Sequence, residues 1–111
     1  MPHRMKPSPR TGNLLVGVWR APDEWSNIEY RVTRKGTHYS VVVRDFDDGE
    51  RADVFEIKWS PKLHELSFAA HWNSTGRFMR CRMRAGSKTQ VDLTFTYTEM
   101  QPLVRYTKRN A

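Results

Sequence analysis

Cysteine is almost missing from this chain. Cys81 is the only one among 111 residues, so no disulfide can form within it. A chain without a disulfide framework is expected in a reducing, cytoplasmic setting. Long apolar runs are missing as well: none approaches the roughly 20 residues that cross a bilayer as a helix, so no membrane partner is expected. Residues 1–12 carry Arg4, Lys6 and Arg10 but no apolar core, which does not read as a secretory signal. No window of useful length shows a 3.6-residue apolar period, which argues against helices. Catalytic signatures are lacking too. There is no Gly-x-Ser-x-Gly elbow, and Cys81 sits between Met79 and Met83 on the apolar phase of its segment, where a thiol behaves as a small hydrophobe. Neither an enzyme nor a cofactor is indicated.

Carboxylates are absent from one long stretch. Between Leu66 and Val91 there are none, while Arg77, Arg80, Arg82, Arg84 and Lys88 all fall there. Between Asp45 and Glu56 the balance reverses, with Asp45, Asp47, Asp48, Glu50, Asp53 and Glu56 against Arg51 alone. The net charge of +7 makes a weak anionic partner conceivable.

What is present is alternation. Residues 1–13 hold three of the six prolines and read as a flexible basic tail, leaving 14–111 as one domain. Apolar and polar residues then alternate in short runs separated by turn signals. The predicted strands are 14–20, 28–33, 39–44, 53–59, 66–72, 78–84, 91–98 and 103–107. About eight strands at this spacing predict an all-β up-and-down meander barrel. The inward set includes Leu15, Tyr30, Val32, Val41, Val43, Phe55, Ile57, Trp59, Leu66, Phe68, Met79, Cys81, Met83, Leu93 and Phe95. A barrel of eight strands has room for side chains or one small ligand. Its ligand mouth would be lined by Tyr30, Tyr39, Trp59, Trp72 and Tyr97.

Gly17-Val18-Trp19 on the first predicted strand, with Arg105 on the last, resembles the signature of the calycin superfamily of lipocalins, fatty-acid-binding proteins and avidins. The resemblance implies a closed barrel in which Gly17, Trp19 and Arg105 form a structural clasp at one end and the opposite mouth takes a small apolar or amphipathic ligand. Arg105 shares a phase with Leu103, which turns it inward, unless Val104 and Tyr106 set the phase and leave it an ordinary exposed arginine. The chain differs from the fatty-acid-binding proteins, having no room for two helices between Arg20 and Trp25. It also differs from the avidins, since Arg20-Ala21-Pro22 follows Trp19 where polar biotin contacts would be needed.

Three other groups of residues bear on chemistry. The acids around Asp45–Glu50 miss the spacing of a calcium loop and read as a solvated hairpin tip. His3, His38, His64 and His71 are scattered and read as surface histidines, so no metal is expected. Arg80, Arg82 and Arg84, extended by Arg77 and Lys88, form a basic stripe. It is the basis of an alternative function, a non-enzymatic module for nucleic acid or an acidic protein, though the expected neighbours are short polar groups without aromatic stacking platforms.

Overall fold

A side-chain period of two forces each strand to present one face to the core and one to water. In the computed structural model, which describes residues 14–22 and 26–108, seven strands obey that rule. They are β1 (Gly17–Arg20), β2 (Ile28–Lys35), β3 (His38–Asp45), β4 (Asp53–Ser60), β5 (Glu65–His71), β6 (Phe78–Ala85) and β7 (Val91–Thr98). All pairings are antiparallel between sequence neighbours, giving one sheet ordered β1-β2-β3 and another ordered β4-β5-β6-β7. Between the sheets the ladder shrinks to the Arg44–Arg51 bridge and the bond from Ala52 N to Val43 O at 2.9 Å.

The inner faces of the two sheets make one core. Tyr30, Val32, Val41 and Val43 come from the first, and Leu66, Phe68, Ala70, Met79, Cys81 and Met83 from the second. Tyr30 and Phe68 meet across it, with ring centroids 6.4 Å apart. Leu15, Ala52 and Trp72, all outside the strands, complete it.

The all-β meander is therefore present, but a closed eight-stranded barrel is not. Residues 102–107 carry no strand, and around Arg105 the side chains of Leu103, Val104 and Tyr106 stay exposed. Leu103 and Val104 are adjacent apolar residues, so neither phase of this segment hides both, and Pro102 offers no N–H to a ladder. β1 and β7 consequently end their sheets without pairing. Arg105, expected on a final strand, lies in this exposed non-strand segment. The predicted tail, 1–13, lies outside the described residues.

Phe55 departs from the inward phase that alternation assigns it. The register of β4 on β5 slips between Phe55 and Lys58, so Phe55 pairs with Ala69 while Lys58 pairs with Ser67. One extra residue is accommodated by Glu56, whose φ of 57° lies in the left-handed region. Bulges of this kind reverse the facing of a strand. Ile57 and Trp59 pack against the core as alternation required, and Phe55 turns to the outer face, touching Phe78 at a centroid distance of 5.8 Å.

The Gly17–Trp19 half of the expected clasp is a local unit. Trp19 Nε1 donates to the Leu15 carbonyl at 2.8 Å, and its ring lies over Gly17, 3.6 Å from where a Cβ would stand. Gly17 has φ 150°, a conformation that disfavours any side chain. Gly17→Ala should therefore lower stability by about 1–3 kcal/mol through backbone strain. Trp19→Ala should cost about 3 kcal/mol, the lower end for truncating a large aromatic, because the ring is only half-buried. Chemical denaturation of both variants measures this, and no loss in either would remove the structural role of the pair.

Candidate functional site

The incomplete closure leaves a cleft. It has a volume of about 680 Å³ and opens between the first sheet and the β6–β7 edge of the second. Trp19, Tyr30, Trp72, Met79, Leu93 and Tyr97 form its apolar wall. Phe95 and Tyr97 sit on the core-facing side of β7, opposite Cys81 and Met79 in the ladder, yet are 47% and 52% exposed. Among the described residues, no eighth strand covers them. Open apolar surface continuous with a core is where a small molecule gains most from leaving water.

Of the aromatics expected to line a mouth, Tyr30, Trp72 and Tyr97 do meet in this cleft. Tyr39 and Trp59 do not reach it. They pair with each other instead, ring centroids 5.5 Å apart, and Trp59 stacks on His64 at 6.5 Å. The alternation placed all five on the inner side of the sheets, but which end of the molecule each occupies depends on strand pairing.

The rim is polar, and the acidic run of the sequence builds it. Asp45 and Asp48 side chains accept the backbone N–H groups of Asp47 and Glu50, each at 2.8 Å, which fixes the β3–β4 turn. Asp47 accepts from Asn27 at 2.6 Å. Glu50 takes both the N–H and the hydroxyl of Ser74, at 3.1 and 2.7 Å, and Asp53 accepts from Asn73 at 3.1 Å. Asp45, Asp47, Asp48 and Glu50 were expected at a solvated hairpin tip, and Asp53 on the strand after it. In fact they tie three turns together beside the cleft, a role invisible to spacing because the partners lie some twenty residues away.

Arg77 also leaves its expected place. An odd residue among even ones, it turns away from Arg80, Arg82 and Arg84 and reaches the cleft rim. There its guanidinium binds Glu99 and lies 4.6 Å from the centre of the Tyr97 ring. Lys88 stands in the exposed β6–β7 loop, outside the strand. The stripe proper is thus Arg80, Arg82 and Arg84. His64 and His71 fall at opposite ends of β5, and Asp53 and Glu65 at opposite ends of the β4–β5 pair. Among the described residues, no three metal-ligating side chains converge.

One charged residue that periodicity did not single out is the most enclosed of all. Glu29, 4% exposed, lies on the outer face of the first sheet between Arg20 and Arg44, its cross-strand neighbours. Its carboxylate accepts from Arg20 at 2.7 and 3.0 Å and from Arg44 at 3.3 Å, and Arg20 also covers the Phe46 ring at 4.1 Å. The Arg20 hydrogen bonds, above all, hold the Glu29 carboxyl below its ordinary value of 4.5, with Arg44 adding to the effect against some desolvation. Such a depressed group contributes stability that is complete above the unfolded value and is lost as pH falls through the folded one. Glu29→Gln should therefore lower the melting temperature at pH 7, and the gap to the parent should narrow once pH drops below the carboxylate range. A gap independent of pH would contradict the charge assignment.

Cys81 is 1% exposed, and burial pushes its thiol up to about 12. Almost no thiolate forms near neutrality, so nucleophilic chemistry is suppressed. Thiol titration with a disulfide reagent at pH 8 should be slow in the native protein and immediate in denaturant; rapid native reaction would show that strand β6 opens.

The chain matches no protein-family model, no curated protein and no solved structure.

Proposed function

We propose that this chain is a small, non-enzymatic, calycin-like β protein that binds one apolar or amphipathic small molecule in the cleft between its sheets. The observation that carries the reading is the half-exposed Phe95 and Tyr97 lining a cleft of about 680 Å³ together with Trp19, Tyr30 and Trp72. That volume suits an ordinary small ligand, for which sites span roughly 300–1,000 Å³. The apolar wall would take the ligand's body, and the charged rim of Arg20, Asp45 and Arg77 would hold a polar end. The Gly17-Val18-Trp19 resemblance supports the same class, with the ligand beside the Trp rather than at the far end. The inert Cys81 thiol favours binding over catalysis and suits a cytoplasmic, reducing setting.

Trp19 and Trp72 provide the readout. Titration with a long-chain fatty acid, retinol, haem and biotin should give a saturable fluorescence change at micromolar concentration with at least one of the apolar three. Tyr97→Asp, at a half-exposed position, should weaken it by roughly tenfold, equivalent to about 1.4 kcal/mol, in a variant whose circular dichroism matches the parent's. A silent panel, or a response unaffected by Tyr97→Asp, would overturn the proposal.

A further inference from the structure

The outer face of the second sheet carries a separate groove of about 560 Å³, on the opposite side of β5 and β6 from the core. The pairing registers arrange its side chains in rows across the strands. One row runs Lys58, Ser67, Arg82, Thr94; the next holds Ala69, Arg80 and Thr96; on the other side lie Ser60, Glu65, Arg84 and Asp92. The cations in these rows are not equivalent. Arg80 is taken up by Glu56 at 3.1 Å and Arg84 by Glu65 at 3.4 Å. Lys58 and Arg82 have no acidic partner among the described residues, and both line the groove with Ser67 and Thr94.

We infer that the Lys58–Ser67–Arg82–Thr94 row is a binding site for a phosphoryl dianion, either inorganic phosphate or the phosphate of a small monoester. Two unneutralised cations match a double negative charge. Arg82 offers a guanidinium fork that fits two phosphate oxygens, and Lys58 adds a compact charge from the other side. Neighbouring strands lie about 4.8 Å apart, so the backbones of Lys58 and Arg82 stand about 10 Å apart and their side chains can converge over Ser67. The hydroxyls of Ser67 and Thr94 supply further donors in the same row.

The bulge at Glu56 contributes twice. It sets Lys58 opposite Ser67 in the same row as Arg82, and it places the Glu56 carboxylate where it occupies Arg80. A left-handed, non-glycine residue beside a groove is where folds concentrate strain in the service of a site.

The charge balance of the face favours a discrete dianion over a polyanion. Lys58, Arg80, Arg82 and Arg84 are matched by Asp53, Glu56, Glu65 and Asp92 on the same face, so a nucleic-acid strand running its length would meet carboxylates at both ends. The central row holds no carboxylate of its own, and the Glu56 carboxylate on the same groove is taken up by Arg80.

The test is a backbone-amide NMR titration of the full chain with inorganic phosphate and with glycerol phosphate, against chloride at matched ionic strength. Saturable shifts should centre on Ser67, Arg82 and Thr94, and tighter binding of glycerol phosphate than of inorganic phosphate would identify an organic monoester as the occupant. Arg82→Gln and Lys58→Gln, both exposed and so harmless to folding, should each weaken binding by roughly tenfold. Glu56→Gln, which releases Arg80, should strengthen it. Equal shifts with chloride, shifts centred on Arg20 or Arg77, or indifference to Arg82→Gln would overturn the site. A single-stranded oligonucleotide that binds with steep salt dependence and tolerates Arg82→Gln would also overturn it, in favour of a diffuse polyanion surface. Loss of ligand binding in the Tyr97→Asp variant would leave these shifts unchanged, so the two sites fail independently.

Discussion

Two sheets share one core here because the chain crosses between them at a single tight connection, Asp45 to Ala52. That connection is held by its own carboxylates. Asp45 and Asp48 satisfy backbone N–H groups of the turn, and Asp45 N bonds Glu50 O at 2.8 Å. Past the Arg44–Arg51 bridge the strands no longer continue one ladder, so the second sheet lies face to face with the first. The core, the cleft and the polar rim all follow from that crossing. Glu50 and Asp53 extend the fixation to the β5–β6 turn through Ser74 and Asn73, which keeps the cleft walls at a set separation.

The same geometry explains why apolar surface is left open at one place. Each sheet hides its inner face against the other, but on β7, the last strand of the second sheet, that face stays partly open. Phe95 and Tyr97 have the correct phase for burial there but stay half-exposed, facing Trp19 and Tyr30 across the cleft. The outer faces, free of the demand for burial, carry the charge. On the first sheet Arg20, Arg31 and Arg44 gather on Glu29, and on the second Arg80 and Arg84 are paired with acids while Lys58 and Arg82 are not.

Much of this was legible from the residues. Seven strands fall where alternation and turn chemistry placed them, because a buried face imposes its period directly on the sequence. Phe55 was misplaced because a bulge breaks that period at a glutamate, where the usual glycine signal is missing. The run 103–107 contains strand-forming residues, but adjacent Leu103 and Val104 lack the alternation that a half-buried strand needs. Tyr30, Trp72 and Tyr97 come together in one cleft while Tyr39 and Trp59 pair with each other apart from it, since all five share a phase and only register separates the two ends. Glu29 went unnoticed because its arginines lie on neighbouring strands, nine and fifteen residues away.

The sequence by itself determined the all-β class, the places of seven strands and the burial of Cys81, because these depend on local period and composition. Tertiary structure alone decided that the sheets stay unclosed, that the acidic run staples turns together, and that Lys58 and Arg82 share one row across β5. Those outcomes depend on pairing register and on which strand ends a sheet. Both are set by the sum of many long-range contacts, and no short stretch of residues encodes them.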